Sequence, residues 1–404
     1  MREGYKMTKL GEIPEDWEVA NIGDVTSIHI GRDLQEENYS EDKKDEFRYP
    51  IYSNTVSNYG LYGYYNFVEY EGESVTVIGR GVGLGTAFHR NGKFGAIGRL
   101  IVLFPNQNLN YRYLAFYINY KVNFFVESSA IPQLTGAQIG KYKTLLPPLP
   151  EQRKIAEILS TVDEKIELIE QQISETQALK KGLMQRLLSK GIGHTDFKDS
   201  PLGEIPKEWE VVKLGEEAII IMGQSPSGES YNKVGTGMPV LNGPTEFTNI
   251  HPIPVQFTTE VTKLASQGDI LFCVRGSTTG RMNVADQTYC IGRGLAAIRG
   301  GENTSTKYIY YILQNLAKEV LRKAKDMGST FPNVNSKELF QYKLALPSID
   351  EQKKISDILN LSDQKLEILG ERKEQMKEFK KGLMQKLLTG HIRVNSLLRK
   401  TEAS

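Results

Sequence analysis

The chain contains the same unit of about 200 residues twice, and this duplication limits the possible folds more than any other feature. Eight of ten positions match between LGEIPEDWEV at 10–19 and LGEIPKEWEV at 202–211. The other matched blocks are PPLPEQRKIAEIL at 147–159 with PSIDEQKKISDIL at 347–359, and KKGLMQRLL at 180–188 with KKGLMQKLL at 380–388. The ends of each unit are similar and the middle has diverged. We therefore expect ends that share one role and middles that perform two different roles, although neutral drift after duplication remains the alternative.

The middle regions match only at scattered positions. These are Arg80, Gly81 and Gly85 with Arg275, Gly276 and Gly280, and the tripeptide Ile-Gly-Arg at 97–99 with the same tripeptide at 291–293. Short β-rich runs bounded by glycine predict strands, and two longer periodic runs predict helices. The predicted strands are 74–78, 100–104, 269–274 and 295–298, and the predicted helices are 111–122 and 307–325.

Each unit ends in a long amphipathic segment. The first carries apolar residues alternately four and three positions apart, which is a heptad stripe: Ile155, Leu159, Val162, Ile166, Ile169 and Ile173. The second carries Ile355, Ile358, Leu359, Leu366, Leu369, Met376, Phe379, Leu383 and Leu387. A helix of about 40 residues is roughly 60 Å long, too long for the interior of one compact domain. We expect the two helices to pair antiparallel, with an LGEIP segment at the end of each.

The predicted fold class is α+β, with two tandem pseudo-repeated globular domains joined by two long antiparallel coiled-coil helices in a quasi-two-fold arrangement. The predicted segments are a first domain at 1–148, a helix at 149–192, a second domain at 193–346, a second helix at 347–393 and a flexible tail at 394–404.

Composition excludes several classes of protein. The two cysteines are too few for a disulfide framework or a four-cysteine zinc site. The polar start has no apolar signal region, and no apolar run approaches the ~18 residues of a membrane span, so we expect a cytoplasmic protein. There is no P-loop, the alternating glycines at 79–85 do not spell a dinucleotide motif, and the five histidines lack metal-binding spacing. The tetrapeptide [N/D]-P-P-[Y/F] of amino-methyltransferases is also missing.

The charges are unevenly spread although the net charge is only +1. Residues 74–126 contain no Asp or Glu but several Arg and Lys, a pattern typical of phosphate contact. Chance clustering in glycine-rich strands is the alternative. A tyrosine-rich stretch at 49–70 either presents hydrogen-bonding groups to base edges or forms a β-hairpin with half of its rings buried.

Together, the repeated LGEIPxxWE, the two helix starts, the KKGLMQ helix ends and the divergent middles resemble the specificity subunits of type I restriction–modification systems, over about residues 8–393. The resemblance implies two target-recognition domains, each reading one half of a bipartite, asymmetric site on double-stranded DNA. It implies a subunit without catalysis or cofactor that binds two methyltransferase subunits and, through the complex, motor-nuclease subunits. The helices would then set the spacing of the half-sites and dock the methyltransferases.

The DNA-binding residues are predicted by position in the repeat. We expect Arg80, Arg90, Lys93, Arg275 and Arg281 to face DNA, with Arg80 and Arg275 in a shared role such as a phosphate contact. Residues that differ between the repeats are expected to read bases, namely Ser53, Asn54, Tyr62, Asn242 and Thr245. The alternatives are a stand-alone two-headed DNA-binding protein, the recognition half of a fused restriction–methylation enzyme, and a coiled-coil scaffold that binds only proteins.

Overall fold

A computed structural model describes residues 2–124, 133–248, 251–326 and 333–395. The chain divides into two compact units: unit 1 comprises residues 1–171 and 371–404, and unit 2 comprises residues 172–370. Each unit thus contains about half of each long helix, whereas the predicted segments list the helices separately from the globular domains. Most of the predicted tail, 396–404, lies outside the described residues. In the described part of the chain, no helix has both the length and the apolar character needed to cross a membrane.

The described residues of unit 1 form thirteen strands and three short α-helices before the first long helix. The strands are β1 (Tyr5–Thr8), β2 (Gly11–Pro14), β3 (Glu18–Asn21), β4 (Thr26–Ile30), β5 (Tyr39–Ser40), β6 (Tyr49–Tyr52), β7 (Leu61–Tyr65), β8 (Tyr70–Glu71), β9 (Ser74–Val77), β10 (Ala87–Arg90), β11 (Lys93–Ala96), β12 (Ile101–Pro105) and β13 (Lys143–Leu146). The helices are α1 (Ile22–Val25), α2 (Tyr111–Lys121), α3 (Gly136–Gly140) and the long helix α4 (Leu149–Lys190).

Unit 2 repeats this order after α4. Its strands are β14 (Phe197–Lys198), β15 (Ile205–Pro206), β16 (Glu210–Lys213), β17 (Ala218–Met222), β18 (Tyr231–Asn232), β19 (Met238–Leu241), β20 (Gln256–Thr258), β21 (Leu264–Ala265), β22 (Ile270–Cys273), β23 (Met282–Val284), β24 (Tyr289–Ile291), β25 (Leu295–Gly300) and β26 (Lys343–Leu346). Its helices are α5 (Leu214–Glu217), α6 (Thr306–Asp326), α7 (Ser336–Gln341) and the long helix α8 (Ile349–Leu387). The strands and helices predicted in the middle regions are therefore confirmed.

The two units share one sheet topology. In unit 1 a four-stranded sheet has the order β10-β9-β12-β4 and a five-stranded sheet the order β5-β7-β6-β11-β8, and in unit 2 the orders are β23-β22-β25-β17 and β18-β20-β19-β24-β21. One parallel pair lies in each five-stranded sheet, β6 with β11 and β19 with β24. The tyrosine-rich stretch forms the antiparallel β6–β7 hairpin, in which Tyr65 is buried and stacked on Phe67.

The central strands of the four-stranded sheet of unit 1, β9 and β12, are buried on both faces. Successive side chains of a strand point to opposite faces, so Ile101 and Leu103 of β12 pack toward α2 and the long helices, whereas Val102 packs with Phe94 of the five-stranded sheet. This burial explains much of the acid-free run at 74–126, since β9, β11, β12 and α2 all lie within it. The absence of acidic residues from 74–126 therefore reflects a buried core as well as a basic surface.

The long helices pair antiparallel within each unit, as predicted. In unit 1, Asp163 of α4 pairs with Lys380 of α8 at 2.6 Å, and Glu170 pairs with Lys373 at 2.9 Å, so the residue numbers run in opposite directions. Unit 2 has the equivalent pair Lys180–Asp363 at 2.5 Å. The lysine of the KKGLMQ segment also lies against an aromatic ring in each unit, Phe116 for Lys380 and Tyr311 for Lys180.

The apolar stripe of each helix forms part of a unit core. Ile155, Leu159 and Leu387 belong to the core of unit 1, and Ile355 and Leu359 belong to the core of unit 2. The predicted assignment of Phe379 to this stripe is wrong, because its side chain is 54% exposed. Position 379 lies on the solvent face of α8, outside the heptad positions that contact α4.

A carboxylate at the start of each long helix, buried in unit 1 and 14% exposed in unit 2, binds the LGEIPxxWE segment. Glu151, 1% exposed, accepts hydrogen bonds from Trp17 Nε1 at 3.0 Å and from Arg393 Nε at 2.8 Å. In unit 2, Glu351 accepts from Trp209 Nε1 at 3.0 Å, and His194 Nε2 lies 2.9 Å from its carboxylate. Each tryptophan comes from an LGEIPxxWE segment. The C-terminal segment therefore returns to the first LGEIP region, as predicted from the repeat.

The neighbouring glutamine fastens the helix start to the loop before α2 or α6. Gln152 is buried, accepts from Asn110 N at 2.8 Å and donates to Pro147 O at 2.8 Å. Gln352 makes the same bonds, accepting from Ser305 N at 2.8 Å and donating to Pro347 O at 2.9 Å. A buried polar side chain must keep such partners, which explains why both repeats carry the Glu-Gln pair.

We expect Glu151→Ala to destabilise unit 1 by about 3 kcal/mol, because Trp17 and Arg393 would lose a buried acceptor. Each unit has one of the two tryptophans, so both variants are compared in a Trp209→Phe background, where Trp17 fluorescence reports urea unfolding of unit 1. This background removes the Trp209 bond to Glu351 from both variants alike. The control is Glu157→Ala on the same helix, whose side chain is 64% exposed and which should change stability by less than about 0.5 kcal/mol. Equal effects of the two variants would contradict this role for Glu151.

Candidate nucleic-acid interface

In unit 1, four loops meet at the ends of the two sheets. We define loop cluster 1 as residues 31–33, 53–60, 79–85 and 97–100. Asn54 joins three of these segments, since its Oδ1 accepts from Gly79 N at 2.8 Å and its Nδ2 donates to Gly98 O. Gly98 N in turn donates to Arg32 O at 2.9 Å. Hydrogen bonds between the loops thus hold the cluster together.

Unit 2 builds the equivalent group, which we define as loop cluster 2, from residues 223–225, 242–248, 274–281 and 292–295. Val274 N donates to Gly294 O at 2.9 Å, and Arg293 N donates to Ser225 Oγ at 3.2 Å. The Asn242 side chain accepts from the Tyr231 hydroxyl at 3.0 Å and lies against Gly292, where a Cβ would approach it to 2.3 Å.

Arg80 and Arg275 occupy equivalent places, as the sequence match predicts. Each follows a buried strand, β9 or β22, and each forms an isolated antiparallel bridge, with Gln133 and Asn333 respectively. Both side chains are exposed, so both are available to a ligand. The loops after them also agree, because the glycines at 85 and 280 donate their N–H to residues 78 and 273 at the same distance of 2.8 Å.

The match between the two Ile-Gly-Arg tripeptides is one residue out of register. Ile97 N donates to Tyr52 O, and its structural counterpart Gly292 donates to Leu241 O at the same point of the parallel strand pair. Arg99 therefore corresponds to Gly294, and its φ of +66° is the left-handed conformation that glycine adopts easily. The letter match has an offset of 194, whereas the strand pairing keeps the offset of 195 that also relates Arg80 to Arg275, so the two units need no insertion here.

Exposed arginines concentrate at both loop clusters. They are Arg32, Arg80 and Arg99 in loop cluster 1, and Arg275, Arg281 and Arg293 in loop cluster 2. Arg32 lies 3.9 Å from Glu69, whereas the ion pairs of the described residues include none of the other five. The Arg281 guanidinium donates to Phe247 O at 3.2 Å. Exposed guanidinium groups without an ion pair are available for phosphate or base-edge contact. Arg32, Arg99 and Arg293 were not among the predicted contacts.

Arg90 lies inside unit 1, unlike the other predicted arginines. It is 8% exposed, its Nε donates to Thr76 Oγ1 at 3.0 Å, its Nη2 donates to Tyr59 O at 2.5 Å, and its guanidinium lies 3.5 Å from the Tyr52 ring centre. Burial lowers the pKa of Arg90 to about 10, so the group remains charged at neutral pH. In this position Arg90 supports loop 53–60 rather than offering its side chain to solvent.

The remaining predicted residues have mixed surroundings. Lys93 is exposed at the far end of β11 and lies 3.7 Å from Glu71. Thr245 is exposed, Ser53 is half-buried, and Tyr62 packs against Tyr39 with ring centres 5.6 Å apart. Asn54 and Asn242 use their amides to hold loops together, as described above. A role of any of these side chains in base reading remains a prediction.

A strained turn near Arg90 directs Tyr59 toward α4. Asn58 and Tyr59 have φ values of +46° and +51°. The Tyr59 hydroxyl donates to Glu167 Oε1 at 2.6 Å, and this hydrogen bond, together with burial, raises the pKa of Tyr59 to about 12. The phenol therefore stays protonated at neutral pH and remains a donor.

The described residues contain no group of three or more His, Cys, Asp or Glu side chains placed to hold a metal ion. Cys273 and Cys290 are both buried and free. Burial raises the pKa of the Cys273 thiol to about 12.

Comparison with known proteins is consistent with this architecture. Residues 14–178 and 206–378 each match the family described as the type I restriction modification DNA specificity domain. The MjaX specificity subunit of a type I restriction enzyme from Methanocaldococcus jannaschii is 36% identical, over 98% of this chain and 98% of that protein. The MjaVIII specificity subunit of the same organism is 28% identical, over 98% and 97%.

A solved structure has the same fold. The crystal structure of the type I restriction–modification S subunit from M. genitalium aligns with a TM-score of 0.66 at 17% identity, covering 96% of this chain and 99% of that one. The chain belongs to the family of type I restriction–modification DNA specificity domains and contains two copies of that domain.

Proposed function

We propose that this chain is the non-catalytic specificity subunit of a type I restriction–modification complex, in which each unit reads one half of a bipartite DNA site. The observation that carries the proposal is the repeated loop cluster, where five of the six exposed arginines make no ion pair with the residues that the structure describes. Phosphate contacts by these arginines would set the register, and loop residues that differ between the units would read different sequences. A two-part site with unequal halves follows from two domains with one topology and different loops.

The proposed partners are double-stranded DNA, two methyltransferase subunits and, through the complex, motor-nuclease subunits. Such a complex would work in the cytoplasm, where the host DNA lies. The first test is coexpression with the methyltransferase, followed by base-resolution mapping of methylated adenines. Methylation at two short defined sequences around a fixed gap would support the proposal. Methylation without sequence preference would contradict it.

The long helices carry a repeated surface suited to docking two copies of one partner. In unit 2, Leu179 of α4 is more than half exposed and lies one turn before Gly182, and in unit 1 Phe379 of α8 has the same relation to Gly382. A Cβ at either glycine would meet nothing within 4 Å, so packing within the chain does not require glycine there. Glycine inside a helix costs about 1 kcal/mol relative to alanine. Close approach of a partner accounts for both the glycine and the exposed apolar side chain.

We expect the exposed arginines to contribute to DNA affinity through phosphate contacts. Arg99→Gly removes the guanidinium while keeping a residue that tolerates positive φ. It should reduce the slope of log affinity against log salt concentration by about one, with similar effects on specific and unrelated duplexes. Fluorescence anisotropy on the methyltransferase complex measures this. Arg186→Ala, which removes an exposed arginine from α4 outside the loop clusters, is the charge-matched control and should leave the slope unchanged.

Stoichiometry tests the docking surface. Leu179→Glu and Phe379→Glu should each reduce the number of bound methyltransferase subunits from two to one, and the double variant should bind none, because each places a charge in a desolvated contact. Native mass spectrometry of coexpressed complexes counts the subunits. Val234→Glu places the same charge at an exposed apolar residue outside the helices and should leave two subunits bound. Retention of both subunits by the double variant would exclude this surface.

Helix length should set the gap between the half-sites. Removing seven residues from each of α4 and α8 preserves the heptad phase and shortens each helix by about 10 Å, or about three base pairs of DNA. The mapped gap should shorten while both half-site sequences persist. A mapped site with its original gap would refute the role of the helices in spacing.

A further inference from the structure

The exposed tip of loop 53–60 is held at both ends by side chains that differ from those in unit 2. At one end Asn54 bonds to Gly79 and Gly98, and Ser53 N donates to Gly60 O at 2.9 Å to close the loop. At the other end Tyr59 bonds to Glu167 of α4. Between them the side chains of residues 56–58 are exposed.

The turn that closes this loop has two consecutive non-glycine residues with positive φ, Asn58 and Tyr59, followed by Gly60 with a φ of +82°. Asn is among the residues that tolerate this conformation, but Tyr rarely adopts it. The conformation persists because neighbouring groups fix it: Arg90 Nη2 donates to the carbonyl of Tyr59, and Leu61 N donates to Asn58 O. Strain of this kind at a non-glycine residue commonly marks a functional constraint.

The tip carries two polar side chains, Ser57 and Asn58, with no hydrogen-bond partner among the residues that the structure describes. It also adjoins the loop that contains Arg80, because Val56 contacts Gly83 so closely that a Cβ on Gly83 would lie 2.4 Å from it. An exposed carboxamide on a loop that contacts the loop of Arg80, which we propose to contact phosphate, is available for base reading. The amide of asparagine matches the N6 and N7 atoms of adenine in the major groove.

We infer that Asn58 reads a base, with adenine as the matching edge, in the half-site bound by unit 1, and that Tyr59 is the positioning residue that presents it by bonding to Glu167. The inference rests on the proposed function of unit 1 in DNA recognition. Arg90 has a positioning role as well, because its buried guanidinium donates a hydrogen bond to the carbonyl of Tyr59.

The experiment selects bound or methylated duplexes from a library randomised across both half-sites, with the chain in complex with its methyltransferase. Asn58→Gly removes the carboxamide while keeping a residue that adopts positive φ without strain. Discrimination should fall about tenfold to hundredfold at one base pair of the unit 1 half-site, with the other positions of that half-site unchanged. The half-site of unit 2, read by the same molecules, is the internal control.

The positioning role has a separate signature. Tyr59→Phe keeps the ring and loses only the bond to Glu167, so it should reduce discrimination at the base that Asn58 reads while overall affinity for unrelated DNA stays constant. Glu167→Gln retains an acceptor for the phenol and should keep more discrimination than Glu167→Leu. A purely structural role would instead lower discrimination across the whole half-site of unit 1, or lower the binding to all duplexes together.

The outcomes separate the inference from the proposed function. A wild-type complex that selects no two-part sequence overturns both. A wild-type complex with a two-part site whose unit 1 half is unchanged by Asn58→Gly overturns the inference alone. Loss of selectivity in both halves on Asn58→Gly also overturns it, because the effect would then not be local to the base that Asn58 contacts.

Discussion

The rest of the structure depends on the carboxylate at the start of each long helix, which is 1% exposed in Glu151 and 14% exposed in Glu351. Glu151 and Glu351 each bind the indole N–H of a tryptophan and the segment that follows the end of the opposite long helix. An uncompensated charge in that position would be costly, so these partners must stay together. One carboxylate therefore holds together the start of one long helix, the LGEIP segment and the segment that follows the end of the other long helix.

This closure explains why the repeats retained their ends and lost their middles. The helix start supplies Glu and Gln, the LGEIPxxWE segment supplies Trp, and the KKGLMQ segment supplies the lysine that pairs with an aspartate of the other helix. Each element needs a partner that lies far away in sequence. The loop clusters are supported by this shared framework but do not form part of it, so their side chains changed without loss of the fold.

The loops combine shared and individual features. The turn after β9 and the turn after β22 have the same hydrogen bonds and present Arg80 and Arg275 alike, which suits a contact that does not depend on sequence. Asn54 in unit 1 and Asn242 in unit 2 stabilise their clusters through different partners. Unit 1 also ties one loop to α4 through Tyr59, and this connection links its exposed tip directly to the helical framework.

Sequence alone determined the duplication, the α+β class, the two long helices, their antiparallel pairing and the equivalence of Arg80 with Arg275, because periodicity and internal matches are local or repeated signals. Only the tertiary structure decided that Arg90 is buried, that Phe379 is exposed and that Arg99 corresponds to Gly294. These outcomes depend on strand register and on which helix and sheet faces pack together. A sequence pattern does not specify the register or the packing of a single residue. Charge counts likewise could not separate an acid-free core from a basic surface, since burial is a property of contacts between segments distant in sequence.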